Sequence, residues 1–168
     1  KNPKFKKILP HLIAIVVLLI VAVIYCKPAL DGKVVQQLDT QGWRGMAQQS
    51  FEFKDKYGYY PLWTNSMFSG MPAYQIAFDP RTNITVGYLA SILTLGMPIP
   101  ISFFFLACIC FYFLCIVAGA NPWVGIMGGL AYAYSTFDPI IIAVGHNTQM
   151  MSIALSAAVL AGLLLLYQ

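Results

Sequence analysis

Charge is what this chain has least of. Of its 168 residues 10% are charged and 59% hydrophobic, with a mean hydropathy of +0.70. Soluble globular domains carry roughly 25% charged residues, so the composition excludes an ordinary soluble domain and implies an integral membrane protein. Beyond Arg81 the only formal charge is Asp138. The chain also lacks a phosphate-cradling glycine loop, a Ser/His/Asp set at usable spacing and any metal-ligand spacing, which removes the enzyme classes that short motifs betray. Its four cysteines are Cys26, Cys108, Cys110 and Cys115. The last three share one apolar stretch with no histidine or acid to complete a metal site. They read as small apolar filling of a membrane helix, without a disulfide framework.

The net charge of +4 is not the footprint of a nucleic-acid binder. Lys1, Lys4, Lys6 and Lys7 stand together before an apolar segment, while Lys27 to Arg81 carries six basic against five acidic residues. A basic cluster beside an apolar run is a topology signal and predicts a cytoplasmic amino terminus. The chain begins without methionine and stops inside an apolar run, so it is expected to be the N-terminal part, residues 1–168, of one longer transmembrane domain.

Four spans are expected, at residues 8–26, 101–118, 122–143 and 150–168, with an outer loop over residues 27–100. The first is longer than a signal-peptide core, and the residues after it make a poor cleavage site, so it reads as an uncleaved helix. Within the loop, Gln36 to Lys54 lacks proline and suits a helix lying in the headgroup layer, with Asp39, Gly42 and Trp43 on one face. Gly58 and Pro61 end it, and Pro61 to Gln75 reads as an ordered loop at the aromatic belt. Asp79-Pro80-Arg81 reads as a turn, and Thr82 or Asn83 as the start of a short helix to about Leu95. Asn121 suits a helix cap with Pro122 as first helical residue. Asp138-Pro139 is expected to kink or end the third span at its rim, and Gly145 to Gln149 to cross to the fourth.

Counting spans puts Asp39, Asp138 and His146 on the outer side. Asp39 has two readings: a solvated loop acid, or a general base or divalent-cation ligand facing a lipid phosphate. Asp31 is the rival acid, although Asp31-Gly32-Lys33 looks like a turn. Asn83-Ile84-Thr85 matches a glycosylation sequon too short to weigh.

The strings LDTQGWRGM (residues 38–46), PLWTNSMFSGMPAYQI (61–76) and AYAYSTFDPIIIAVGHNTQM (131–150) resemble the YfhO family of bacterial membrane proteins, the PLWTNSMFSGMP string most specifically. That family looks like part of the GT-C superfamily of polytopic glycosyltransferases. The resemblance implies an all-α, multi-span bundle in the bacterial inner membrane. It implies sugar transfer from a polyprenyl-phosphate carrier to an envelope or lipid acceptor at the outer face. The essential acid of the first outer loop maps onto Asp39. Arg44 or Arg81 would then offset phosphate charge, Trp43, Trp63 and Tyr74 would stack on sugar or isoprenoid, and His146 would face the same surface. A divalent cation fits that chemistry. A transporter or lipid flippase, and a non-catalytic scaffold, are the rival readings.

Overall fold

A computed structural model describes residues 3–77, 88 and 91–167. They fall into two compact units, Lys1–Gln36 with Ala90–Gln168, and Gln37–Leu89. Apart from one two-stranded ladder, the regular structure described is all helical.

The first unit is a helix bundle. Helix α1 (Pro3–Tyr25) leads into the single turn α2 (Lys27–Leu30), and Asp31-Gly32 forms the expected turn, with Lys33 N–H bonded to Pro28 C=O at 3.0 Å. After it come α4 (Ile101–Val117), α5 (Pro122–Ala133), α6 (Phe137–Val144) and α7 (Asn147–Tyr167). Ala14, Leu18 and Ala22 of α1, with Cys26 just beyond its end, recur every fourth residue and are all buried, while Ile13, Val16, Ile20 and Ile24 are exposed. A helix apolar on both faces belongs in lipid, with its small-residue stripe against its neighbours.

Lys6–Tyr25 and Asn147–Tyr167 are long and apolar enough to cross a membrane, and α5 with α6 makes a third candidate if the 44° bend between them is one broken span. These helices make the chain a membrane protein. Helix α4 is apolar but shorter, at 17 residues, about 25 Å by helical rise. It is the hub of the bundle, packed on α1, α5 and α7, with Ile101 to Cys108 buried without a gap.

Asn121 caps α5 as expected, its side chain accepting the Val124 N–H at 3.0 Å, with Pro122 next. Two expectations for the later helices are corrected. The break lies at Tyr134 to Thr136, ahead of Asp138-Pro139, which occupy the first turn of α6. A proline is harmless there, because first-turn N–H groups have no intrahelical acceptor. Asp138 is buried, 2% exposed, and its backbone N–H donates to Ser135 C=O at 3.2 Å. Helix α7 starts at Asn147 rather than Met150, whose N–H already bonds to His146 C=O at 3.0 Å.

The second unit centres on α3 (Leu38–Tyr57). It runs three residues past the expected Lys54 and stops at Gly58, which takes the left-handed conformation at φ 81°. The chain then forms the antiparallel pair β1 (Trp63–Thr64) and β2 (Met71–Pro72), with Trp63 opposite Pro72 and Thr64 opposite Met71. A 3-10 turn, Ala73–Gln75, follows.

Candidate functional site

Asp39, Trp43, Met46 and Ser50 are spaced by four, three and four residues, so they form one stripe along α3. The loop from Trp63 to Ile76 is clamped to this stripe and beside it. The Ser66 hydroxyl donates to Met46 C=O at 2.8 Å, and the Trp43 indole N–H donates to Ile76 C=O at 2.6 Å. Gln49 Oε1 accepts both the Thr64 hydroxyl, at 2.9 Å, and the Asn65 N–H, at 3.1 Å. Thr64 is 2% exposed and Ser50 fully buried, the Ser50 hydroxyl having no partner among the described residues. Asp39, one turn before Trp43, is exposed in the first turn of α3. The stripe ends in an exposed carboxylate one turn from a half-exposed indole.

Trp63 lies flat over Gly70, where an added Cβ would come within 2.7 Å of Nε1. Its indole N–H donates to Asn65 Oδ1 at 3.2 Å, and the residue remains 56% exposed. One ring face is packed and the other available for stacking. Phe68 and Ser69 hold left-handed φ values of 50° and 60° beside Gly70 at 120°, a backbone that non-glycine residues rarely adopt without support. Here the turn is closed by the Gly70 N–H on Met67 C=O at 2.8 Å, and the chain on either side is tied to α3 through Ser66 and Ile76.

Of the residues marked by the sequence, Asp39, Trp43, Arg44, Trp63 and Tyr74 share this unit. Arg44 is five residues from Asp39, roughly 140° around the helix, and so on a different face. Tyr74 is exposed on the 3-10 turn. His146 belongs to the bundle, where its Nδ1 lies 3.0 Å from Gln149 Oε1. Arg81, the turn at residues 79–81, the Thr82 or Asn83 helix start and the sequon at 83–85 lie outside the described residues. Among the described residues no group of three His, Cys, Asp or Glu could hold a metal, so protein ligation of a cation in this unit would rest on very few carboxylates.

Three features of the bundle escaped sequence reasoning. Gly125 and Gly129 of α5 pack closely against α4: an added Cβ would meet the Tyr112 ring at 2.9 Å and the Cys108 C=O at 2.8 Å, respectively. The Gly-x-x-x-Gly spacing in an apolar run is the signal that points to them. The contact between His11 and Tyr112 and a cleft beside Tyr25 had no sequence signal, because both join residues far apart in the chain. Comparison with protein-family models, curated proteins and solved structures finds no match to this chain.

Proposed function

We propose that the chain is part of a multi-span glycosyltransferase of the GT-C kind, acting at the outer face of the bacterial inner membrane. The observation that carries this reading is Asp39, an exposed carboxylate one turn from Trp43 on the stripe of α3 to which the following loop is held. It joins the resemblance of residues 38–46 and 61–76 to the YfhO family. The packing of α1 against α4 also supports it. His11 near the start of α1 meets Tyr112 late in α4, and Tyr25 at the end of α1 meets Phe104 at the start of α4. Such antiparallel packing is what alternate crossings require. With Lys6 and Lys7 in the cytoplasm, four crossings by α1, α4, the bent α5–α6 pair and α7 leave residues 37–89 on the outer side.

In this reading the Asp39 carboxylate takes the proton of an acceptor hydroxyl as that oxygen bonds to the sugar C1. The C1–O bond to the polyprenyl phosphate breaks, and the phosphate leaves with the bonding pair. Trp43, Trp63 and Tyr74 offer ring faces to sugar or isoprenoid, and Arg44 or Arg81 offsets phosphate charge. A divalent cation, if used, suits one carboxylate completed by donor phosphate oxygens and water, and it would supply charge neutralisation at the leaving group.

The test is transfer of radiolabelled sugar from a polyprenyl phosphate by membranes holding the whole protein. Asp39→Asn keeps the shape and removes the base, so transfer is expected to fall ~10² to 10⁴-fold. Asp31→Asn is expected to retain activity. Full activity in both variants at normal membrane levels would refute the enzymatic reading of this loop. A dead Asp31→Asn beside a live Asp39→Asn would move the base to Asp31. One observation favours a second reading, a transporter: the buried Asp138 in the broken α5–α6 pair, since transporters use discontinuous spans with buried ionisable groups. Flux lost in Asp138→Asn, with sugar transfer absent from the unsubstituted protein, would select it.

A further inference from the structure

The bundle carries a cleft that the reading of Asp39 does not use. Its volume is about 270 Å³, and the residues around it come from the end of α1 and the chain just after it, the start of α4, and α6. Tyr25, Phe104, Pro139 and Ile142 are among its apolar walls; Lys33 is the one charged residue lining it among the described residues. The aromatic wall is rigidly built. Phe104 stacks on Tyr134 at 4.8 Å with an interplanar angle of 2°, and Tyr25 stands edge-on to both, at 5.2 and 4.9 Å. A preformed wall lowers the ordering cost of binding.

The position of the cleft limits what can occupy it. Tyr25 closes the candidate span Lys6–Tyr25, so this end of α1 is where the chain leaves the hydrocarbon layer. Tyrosine and lysine are the residue types that settle at that depth. A ligand here meets mostly apolar walls and a single cation. The volume falls just below the ~300–1,000 Å³ of sites that enclose a whole small molecule. It suits a stretch of one chain, not an entire ligand. An uncharged lipid would leave Lys33 without a complement, and a soluble anion would leave the apolar walls in water.

We propose that this cleft is a binding site for one anionic phospholipid. The upper part of an acyl chain lies against Tyr25, Phe104 and Ile142, and the phosphate sits at Lys33. The bilayer supplies this chemistry at the highest local concentration. The proposal is independent of the glycosyltransferase reading, because none of these residues belongs to the Asp39 unit.

The test uses the full chain, reconstituted in phosphatidylcholine vesicles holding a minor fraction of phosphatidylglycerol and then re-extracted in neutral detergent. Lipid retained per chain is counted by mass spectrometry. The unsubstituted protein is expected to keep about one phosphatidylglycerol and little phosphatidylcholine. Lys33→Gln should lower retention about fivefold, the weight of one lysine at an anionic surface, and Lys33→Arg should restore it. Ala143→Phe, which fills the cleft from α6, should abolish retention, and Lys6→Gln, at the other end of α1, should leave it unchanged. Equal retention by Lys33→Gln and the unsubstituted protein would overturn the proposal. So would retention without headgroup preference, or displacement of phosphatidylglycerol by an equimolar polyprenyl phosphate. If Ala143→Phe loses helicity or changes its elution, the Gln and Arg variants of Lys33 decide the matter alone.

Discussion

His11 on α1 and Tyr112 on α4 are joined across the bundle by a 2.7 Å hydrogen bond between Nδ1 and the phenolic oxygen. Their rings meet edge-on, with centroids 6.2 Å apart. Histidine is rare inside a candidate span because its polar nitrogens need partners in lipid. Here the partner lies 101 positions away. Hydrogen bonds between membrane helices average ~0.6 kcal/mol and reach ~1.7. Tyr112→Phe removes the hydroxyl and keeps the ring, so it should cost stability in that range. A denaturant titration of the reconstituted protein reads this as an earlier midpoint, and His11→Ala combined with Tyr112→Phe should cost less than the two single changes added together. Strict additivity would mean that the two residues do not interact.

Gly129 and Gly125 should differ in tolerance. A Cβ at Gly129 meets backbone, the Cys108 C=O at 2.8 Å, whereas one at Gly125 meets the Tyr112 ring at 2.9 Å. A ring can tilt; a helix backbone must move as a whole. Gly129→Ala is expected to lose about 1–3 kcal/mol, the usual range for overpacking, and Gly125→Ala less. Thermal unfolding in detergent gives the order, and a Gly129→Ala protein as stable as the parent would contradict the close approach.

In the second unit, the loop of residues 65–70 depends on Gln49 and Gly70. Gln49→Ala strips one acceptor from both Thr64 and Asn65; the Thr64 hydroxyl keeps the Ser66 hydroxyl at 2.9 Å, so the cost is that of the bonds lost, about 0.5–1.5 kcal/mol each. Gly70→Ala is barred twice, by a φ of 120° and by the Trp63 indole. Both variants should be cut faster between Trp63 and Tyr74 in limited proteolysis, while cleavage at Tyr57 to Tyr60 stays as before. Unchanged kinetics would show that the clamps do not hold the loop.

Topology is testable without assuming any activity. In a background lacking the four native cysteines, Gln48→Cys is expected to react with an impermeant maleimide from outside intact cells. A cysteine at Ala120, in the turn between α4 and α5, should react only after the cells are opened. The opposite pattern would reverse the orientation inferred from the amino-terminal lysines.

The sequence by itself determined whatever depends on near neighbours along the chain. Hydropathy marked α1 and α7, and the absence of proline from Gln36 to Lys54 marked most of α3. Gly58 stops α3 because glycine tolerates its left-handed φ, and Asn121-Pro122 starts α5 because the asparagine side chain can reach the Val124 N–H. Asp39 was legible as an acid in a helical first turn. Tertiary structure alone decided the rest. The bend at Tyr134 to Thr136 carries no proline of its own, so periodicity could not separate it from the nearby Pro139. The cost of Asp138 in an apolar run is local and legible, while its burial depends on how α6 packs against the rest of the bundle. Gln49 clamps Thr64 across 15 positions, and His11 reaches Tyr112 across 101. Such pairs obey no sequence period, because which faces meet is settled by packing whole helices together. The cleft beside Tyr25 is the space that this packing leaves open.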